Sequence, residues 1–269
     1  MKNKMVSVIV PFYKAGAFAE NLVNSLNSQV FTDFEVIFVD DGEGKDIFKL
    51  ESALSKNIRF QYVILKTKGH EGPGVARNVG LVHSKSPIIA FLDADDYWSS
   101  VYLQIGVEKL RADEDTVIAF STHYVNEYRE EINYSVLPSK ICYEQMIQTC
   151  PVSLPGVIID RRKVQGKIEF KSGGHEDYHL WLKLLSNGVC FKCVNVKALF
   201  VTRVKGSVSS NKFKATKWHI EALSSSYSGN IYKKTILVMV YLVNALLKRK
   251  TKVYRPKYLP SFVSKYLLS

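Results

Sequence analysis

Short, uninterrupted apolar runs alternate with helical stretches through the N-terminal third of the chain, and that alternation leaves few possible architectures. Residues 5–13, 34–42, 58–65 and 87–92 read as strands, and residues 16–29, 46–56 and 75–83 as the helices between them. Phe18, Leu22, Leu26 and Val30 recur at helical spacing in the first of these helices. Strand runs that are apolar on both faces belong inside a sheet covered by helices. Strand and helix in quick succession predict a parallel sheet with right-handed crossovers. Such a sheet binds its ligands beyond the carboxyl ends of its strands.

Carboxylates gather at two of those ends. The strand from Pro87 to Leu92 runs into Asp93, Ala94, Asp95 and Asp96, and the strand from Phe34 runs into Asp40, Asp41 and Gly42. On an extended backbone Asp93 and Asp95 would point the same way. Two convergent carboxylates suit a hard divalent cation that must also hold a phosphate. An isolated Asp-x-Asp is more often an acidic surface turn, but the buried strand in front of this one favours a site. Further on, residues 99–111 read as a helix and 116–123 as a strand. Pro138, Pro151 and Pro155 break up residues 128–164, where 156–160 form a further candidate strand. Gly173 and Gly174 lead into a helix over 175–186, closed by Asn187 and Gly188, and residues 189–204 read as the last strand.

The net charge of +12 is not spread along the 269 residues. From Lys205 onward thirteen Lys and Arg residues face a single acid, Glu221, and the charges before that point cancel. A uniformly basic nucleic-acid binder would look different, and the tail's aromatic residues do not form a stacking platform. No cleavage-site pattern follows Met1, and the apolar run at 235–247 is shorter than the ~20 residues that span a bilayer. Four cysteines are too few for a secreted disulfide framework, so the reducing cytosol is the expected compartment. Cys190 and Cys193 have metal-ligand spacing, but in a strand that offset puts them on opposite faces, and ordinary core thiols are the expectation.

Several stretches together resemble glycosyltransferase family 2, the inverting GT-A-type enzymes that use nucleotide-diphosphate sugars. They are residues 6–13, 25–29, 34–42, 74–80 and 89–96, then Glu176 and Asp177 with Trp181, in family order and at family spacing. The resemblance implies an α/β GT-A (Rossmann-like) fold with a mostly parallel central sheet flanked by helices. It places the catalytic domain at 1–205, with a nucleotide-sugar half at about 1–98 and an acceptor half at about 99–205. A basic helical C-terminal segment follows at 206–269. The implied activity is metal-dependent transfer of a hexosyl or N-acetylhexosaminyl group, with inversion, from a UDP-sugar to a hydroxyl of a glycan or lipid-linked glycan. Bacterial surface polysaccharide or lipooligosaccharide synthesis is the implied setting.

Roles follow from the same resemblance. Pro11, Phe12 and Tyr13 would line the base pocket, Asp40 would accept from the uracil N–H, and Arg77 would approach the base or the diphosphate. Asp93 and Ala94 would border the ribose and metal, and Asp95 would bind Mn2+ or Mg2+ directly, with Asp93 in the metal shell. Asp96 would cap the turn that follows. Asp177 would be the catalytic base, Glu176 the weaker candidate, and Arg203 with Lys205 would help hold the diphosphate. The chain departs from the pattern at Lys14, where the family usually has Asn, at Glu43-Gly44, and through 124–173, which matches no motif.

Two other readings compete. Residues 175–179 spell His-Glu-Asp-Tyr-His, the H-E-x-x-H pattern of zinc peptidases, with Glu221 the one acid downstream for a third ligand. A nucleotide-sugar-binding subunit without catalysis would keep the fold alone. The tail invites two readings as well: a helix packed on the catalytic domain, or one lying at the anionic inner face of the cytoplasmic membrane, where each Lys or Arg contributes ~1 kcal/mol.

Overall fold

The computed structural model describes residues 4–42, 44, 46–56, 58–112, 116–203 and 212–268. The first strand, β1 (Val6–Phe12), is buried along its whole length. Its alternate side chains face opposite layers: Val6, Val8, Val10 and Phe12 pack in a cluster with Leu22, Leu26 and Leu103, while Ile9 packs in another with Leu81, Ile89 and Trp181. Helix α1 (Ala19–Asn27) then leads to β2 (Phe34–Asp40), α2 (Ile47–Leu54) to β3 (Gln61–Lys66), and α3 (Pro73–His83) to β4 (Ile88–Phe91). The four strands are mutually parallel in the order β4-β1-β2-β3, with Phe12 opposite Asp40, so their carboxyl ends share one edge. Helix α3 lies close on the sheet because Gly80 has no side chain: a Cβ there would stand 2.5 Å from Ile9 Cγ2.

Beyond β4 the sheet is mixed. After β5 (Tyr97–Trp98) and α4 (Tyr102–Ala112) come β6 (Val117–Val125), β7 (Glu131–Ser135), β8 (Lys140–Ile141), the short α5 (Tyr143–Met146) and β9 (Val157–Asp160). Strand β9 slots between β4 and β6 and runs against both. The mostly parallel sheet expected from the alternation therefore describes the N-terminal strands, where helices make the crossovers. The proline-broken stretch lacks such helices and returns by antiparallel pairing. Helix α6 (Glu176–Ser186) and β10 (Phe191–Thr202) follow, β10 lying parallel to β6.

The C-terminal segment does more than append helices. It folds as α7 (Lys212–Ser226), α8 (Ile231–Lys250), β11 (Val253–Tyr254) and α9 (Ser261–Leu268), and β11 joins the sheet edge beside β7. Buried Asn244 fixes this turn: its side chain accepts from Lys257 N at 2.7 Å and donates to Lys257 O at 2.8 Å. Gln148 does the same for the next stretch, accepting from Leu259 N at 2.7 Å and donating to Ser264 Oγ at 3.0 Å. Asparagine and glutamine that satisfy buried backbone groups tie segments together without apolar periodicity.

The cysteines depart from expectation. Cys142 and Cys190 form a disulfide, because antiparallel pairing of β8 with β10 places the residues flanking Ile141 and Phe191 side by side. Cys150 and Cys193 are free thiols, and burial pushes both upward, Cys193 to about 12.

Candidate active site

The shared edge of β1 and β2 supplies the first part of the site. Asp40 ends β2 and is buried; its Oδ1 accepts from Gly42 N at 3.1 Å, while its Oδ2 is enclosed without a hydrogen-bond partner among the described residues. Burial raises its carboxyl above the ordinary range, against the pull of the Gly42 N–H and the Lys66 ammonium. Asp41 serves the adjoining loop instead. It accepts from Thr67 Oγ1 at 2.9 Å, Glu71 N at 3.0 Å and Gly72 N at 2.8 Å, so one carboxylate holds the glycine-rich turn before α3. That turn carries His70, whose ring stacks on Tyr13 with centroids 3.8 Å apart. Pro11 and Phe12 are buried beneath, and Tyr13 is exposed.

The aspartates after β4 form a turn, not an extended strand: Asp96 N donates to Asp93 O at 3.0 Å. The expectation that spacing along a strand aligns Asp93 with Asp95 gives way to a turn that brings them close. Burial and the neighbouring Asp93 charge push the Asp95 carboxyl up to about 6. Asp95 lines a small pocket with Asn21, Tyr97, Asn126, Arg129 and Thr202. Asp96, expected to cap the turn that follows, reaches across to β10. It is buried and accepts from Thr202 N at 2.8 Å, pinning the end of β10 to the acidic turn.

Arg77 joins this turn to the distant Glu-Asp pair. From α3 its Nη2 donates to Asp93 Oδ1 at 2.5 Å and its Nη1 to Glu176 Oε1 at 2.7 Å, with the guanidinium buried and its Nε without a partner. Both carboxylates hold the guanidinium above its usual range although burial opposes this. Burial keeps the Glu176 carboxyl raised, against Arg77. Next to Arg77, Asn78 donates to Phe170 O and accepts from Phe170 N, both at 2.8 Å, clamping the strand of chain that leads to α6. Gly74 permits the closeness, since a Cβ there would meet Lys171 O at 3.0 Å and Glu176 Cγ at 3.3 Å. Arg77, expected near base or diphosphate, is thus engaged by two acids, and Glu176 is tied up as its partner. Asp177 is left partly exposed in the first turn of α6, and among the described residues it accepts only from Tyr178 N, at 2.7 Å.

The H-E-x-x-H reading fails on geometry. His175 stands outside α6 as a left-handed cap, φ 53°, with its ring against Trp218 and His219. Among the described residues no group of three or more His, Cys, Asp or Glu side chains is placed to hold a metal. Arg203 lies over the Tyr124 ring, and Lys205 lies outside the described residues, as does Glu43.

Comparison with known proteins gives the family and the fold. The family model described as Glycosyl transferase family 2 matches residues 7–166. The chain belongs to that family. It is 28% identical over 245 residues to the Escherichia coli protein WfaP, described as UDP-Glc:alpha-D-GlcNAc-diphosphoundecaprenol beta-1,3-glucosyltransferase, covering 91% of this chain and 95% of WfaP. The crystal structure of S. aureus TarS 1-349 with UDP-GlcNAc matches the fold with a TM-score of 0.64 at 20% identity, over 88% of this chain and 71% of that one. The mannosyltransferase PcManGT from Pyrobaculum calidifontis, in complex with GDP-Man and Mn2+, matches with a TM-score of 0.66 at 16% identity, over 91% and 71% of the two chains.

This glycosyltransferase has the GT-A fold. A divalent cation held at this turn would take hard oxygen ligands from Asp95 and Asp93 and fill its remaining positions with phosphate and water, as magnesium and manganese sites commonly do. Where the family usually has Asn, Lys14 takes a left-handed backbone, φ 49°, a conformation asparagine tolerates better than lysine. Sequence reasoning missed His70 and the role of Asp41; the cluster Gly69, Gly72 and Gly74 was the available signal.

Proposed function

We propose that this enzyme transfers a sugar, with inversion, from a UDP-sugar to a hydroxyl of a lipid-linked glycan. The observation that carries the reading is Arg77, which draws the acidic turn at Asp93 and the Glu176-Asp177 pair to opposite ends of one guanidinium. In this reading the nucleobase lies against Tyr13, and its N–H reaches the otherwise unpartnered Asp40 Oδ2. Asp95, with Asp93, would hold Mn2+ or Mg2+, which when bound supplies Lewis-acid stabilisation to the departing diphosphate.

Asp177 then acts as the base. A carboxylate with no ion pair among the described residues can accept the proton of the acceptor hydroxyl as that oxygen attacks the anomeric carbon from the face opposite the diphosphate. Glu176, held by Arg77, positions the start of α6 instead of taking the proton. WfaP's described acceptor, a sugar diphosphoundecaprenol, supports the acceptor class.

The tail supports a peripheral site of action at the inner face of the cytoplasmic membrane. No helix among the described residues is long and apolar enough to cross a membrane. Yet α8 exposes Tyr232, Ile236, Met239, Val243 and Leu246, which recur on one face at helical spacing, and α9 adds Phe262 and Tyr266. Lysines and arginines at both ends of α8 suit an anionic surface.

Hydrolysis of a panel of UDP- and GDP-sugars, with and without Mn2+, tests the donor. Release of UDP from a UDP-sugar only when the metal is present is the expected result. Turnover of GDP-sugars alone, or equal turnover in chelator, would contradict it.

A further inference from the structure

Two cations converge on one phenol at the edge of the site. Tyr124, near the end of β6, is buried; Arg203 Cζ stands 4.0 Å and Lys248 Nζ 5.2 Å from its ring centroid. The Tyr124 hydroxyl lies 3.4 Å from Ser153 Oγ, which also accepts from Thr122 Oγ1 at 3.0 Å. Among the described residues neither cation is paired with a carboxylate. The charged or titratable groups that act on Arg203 are Tyr124 and Arg249, and those acting on Lys248 include Tyr124, Tyr254 and Cys150. Burial would raise the Tyr124 phenol, but Lys248 and Arg203 together hold it below its ordinary range. Half-buried like charges with no counterion are costly unless an anion completes them.

The backbone holds this group in place. Asn133 Nδ2 donates to Lys248 O at 2.7 Å, and Arg203 N donates to Val125 O at 2.8 Å. One residue earlier, Thr202 N donates to Asp96, so one flank of the group is the acidic turn. The other flank leads to Asp177: Cys150 and Tyr241 each lie within electrostatic reach of both Asp177 and Lys248.

We propose that Lys248 and Arg203, seated on Tyr124, bind the diphosphate of the lipid-linked acceptor, in a subsite separate from that of the donor diphosphate. The inference rests on the glycosyltransferase reading above and names what holds the acceptor. A guanidinium fork and an ammonium beside hydroxyls from Tyr124 and Ser153 match a group with several charged oxygens. The helix that carries Lys248 also offers apolar surface. Lys248 sits on the packed side of α8, and the opposite side of the same helix carries the exposed apolar stripe, an apolar surface close by for the prenyl part of such an acceptor.

The probe is farnesyl diphosphate, titrated by calorimetry into the full chain already saturated with UDP and Mn2+, with farnesol as the neutral control. The expected result is binding of farnesyl diphosphate at least about tenfold tighter than farnesol, as charge-assisted hydrogen bonds provide. Lys248→Met and, independently, Arg203→Met should each remove most of that preference, and Lys248→Arg should restore it. Equal affinity for farnesol and farnesyl diphosphate, or a preference that survives both methionine variants, would overturn the subsite. Failure of the donor reading shows separately, in the preceding titration, as absence of UDP binding; the farnesyl diphosphate comparison then still reads out Lys248 on its own.

Discussion

Arg77 shows what a single residue contributes here. Its guanidinium is buried between Asp93 and Glu176, so removing it leaves both acids without their counter-charge. Breaking such a buried pair from one side costs about 3–5 kcal/mol. Arg77→Ala should therefore unfold well before wild type in a urea titration, and Arg77→Lys should restore little, because an ammonium offers its three N–H groups from one nitrogen and lacks the planar two-nitrogen fork that spans Asp93 and Glu176. His219 offers a second test at the same scale. It is fully buried between Tyr178 and Tyr241, neither ring nitrogen has a partner among the described residues, and burial together with His175 pulls it down to about 3. The unfolded chain takes up a proton below its ordinary value near 6.5 while the folded chain does not, so this residue's contribution falls as pH drops below about 6.5, by about 1.4 kcal/mol per pH unit. Thermal melts from pH 7 to 5 should show that loss, and it should be much reduced in His219→Phe.

At the scale of elements, close packing decides what the motifs mean. Gly80 lets α3 sit against β1, and Gly80→Ala would press a methyl into Ile9. A cost of about 1–3 kcal/mol is expected, and Ile9→Ala should offset part of it, so that the double variant is less unstable than the two single changes summed. The first four strands and their helices were legible because their apolar runs carry period and length together, and every one lies within a few residues of its expected place. Asp40, Asp93 and Asp95 stand out in the sequence as acids at strand ends, and Glu176 with Asp177 through the family resemblance. Their wiring does not, because hydrogen bonds between residues far apart leave no periodic trace. Arg77 therefore appeared as a ligand contact before it emerged as a bridge between carboxylates. Strand β7 was lost among the proline breaks, and β11 is too short to show a pattern, so the antiparallel half of the sheet and the role of the tail emerge only from the fold. The Cys142–Cys190 bond depends on pairing of β8 with β10, which spacing along the chain does not reveal.

For the whole molecule, the charge asymmetry and the exposed face of α8 belong together. The basic excess lies on the segment that presents Met239, Val243 and Leu246 to solvent. Sedimentation with anionic vesicles should recover the full chain at low salt and lose it as salt rises, and Met239→Glu with Leu246→Glu should cut recovery severalfold without changing the melting temperature. Recovery that is equal on neutral vesicles, or unaffected by the double change, would argue against attachment through this face. The central claim concerns the edge where β1, β2 and β4 end. A crystal structure with UDP and Mn2+ bound tests it most directly. The account predicts the base on Tyr13 with its N–H at Asp40, and the metal between Asp95 and the diphosphate. Nucleotide density elsewhere, with neither metal nor phosphate beside Asp95, would contradict it.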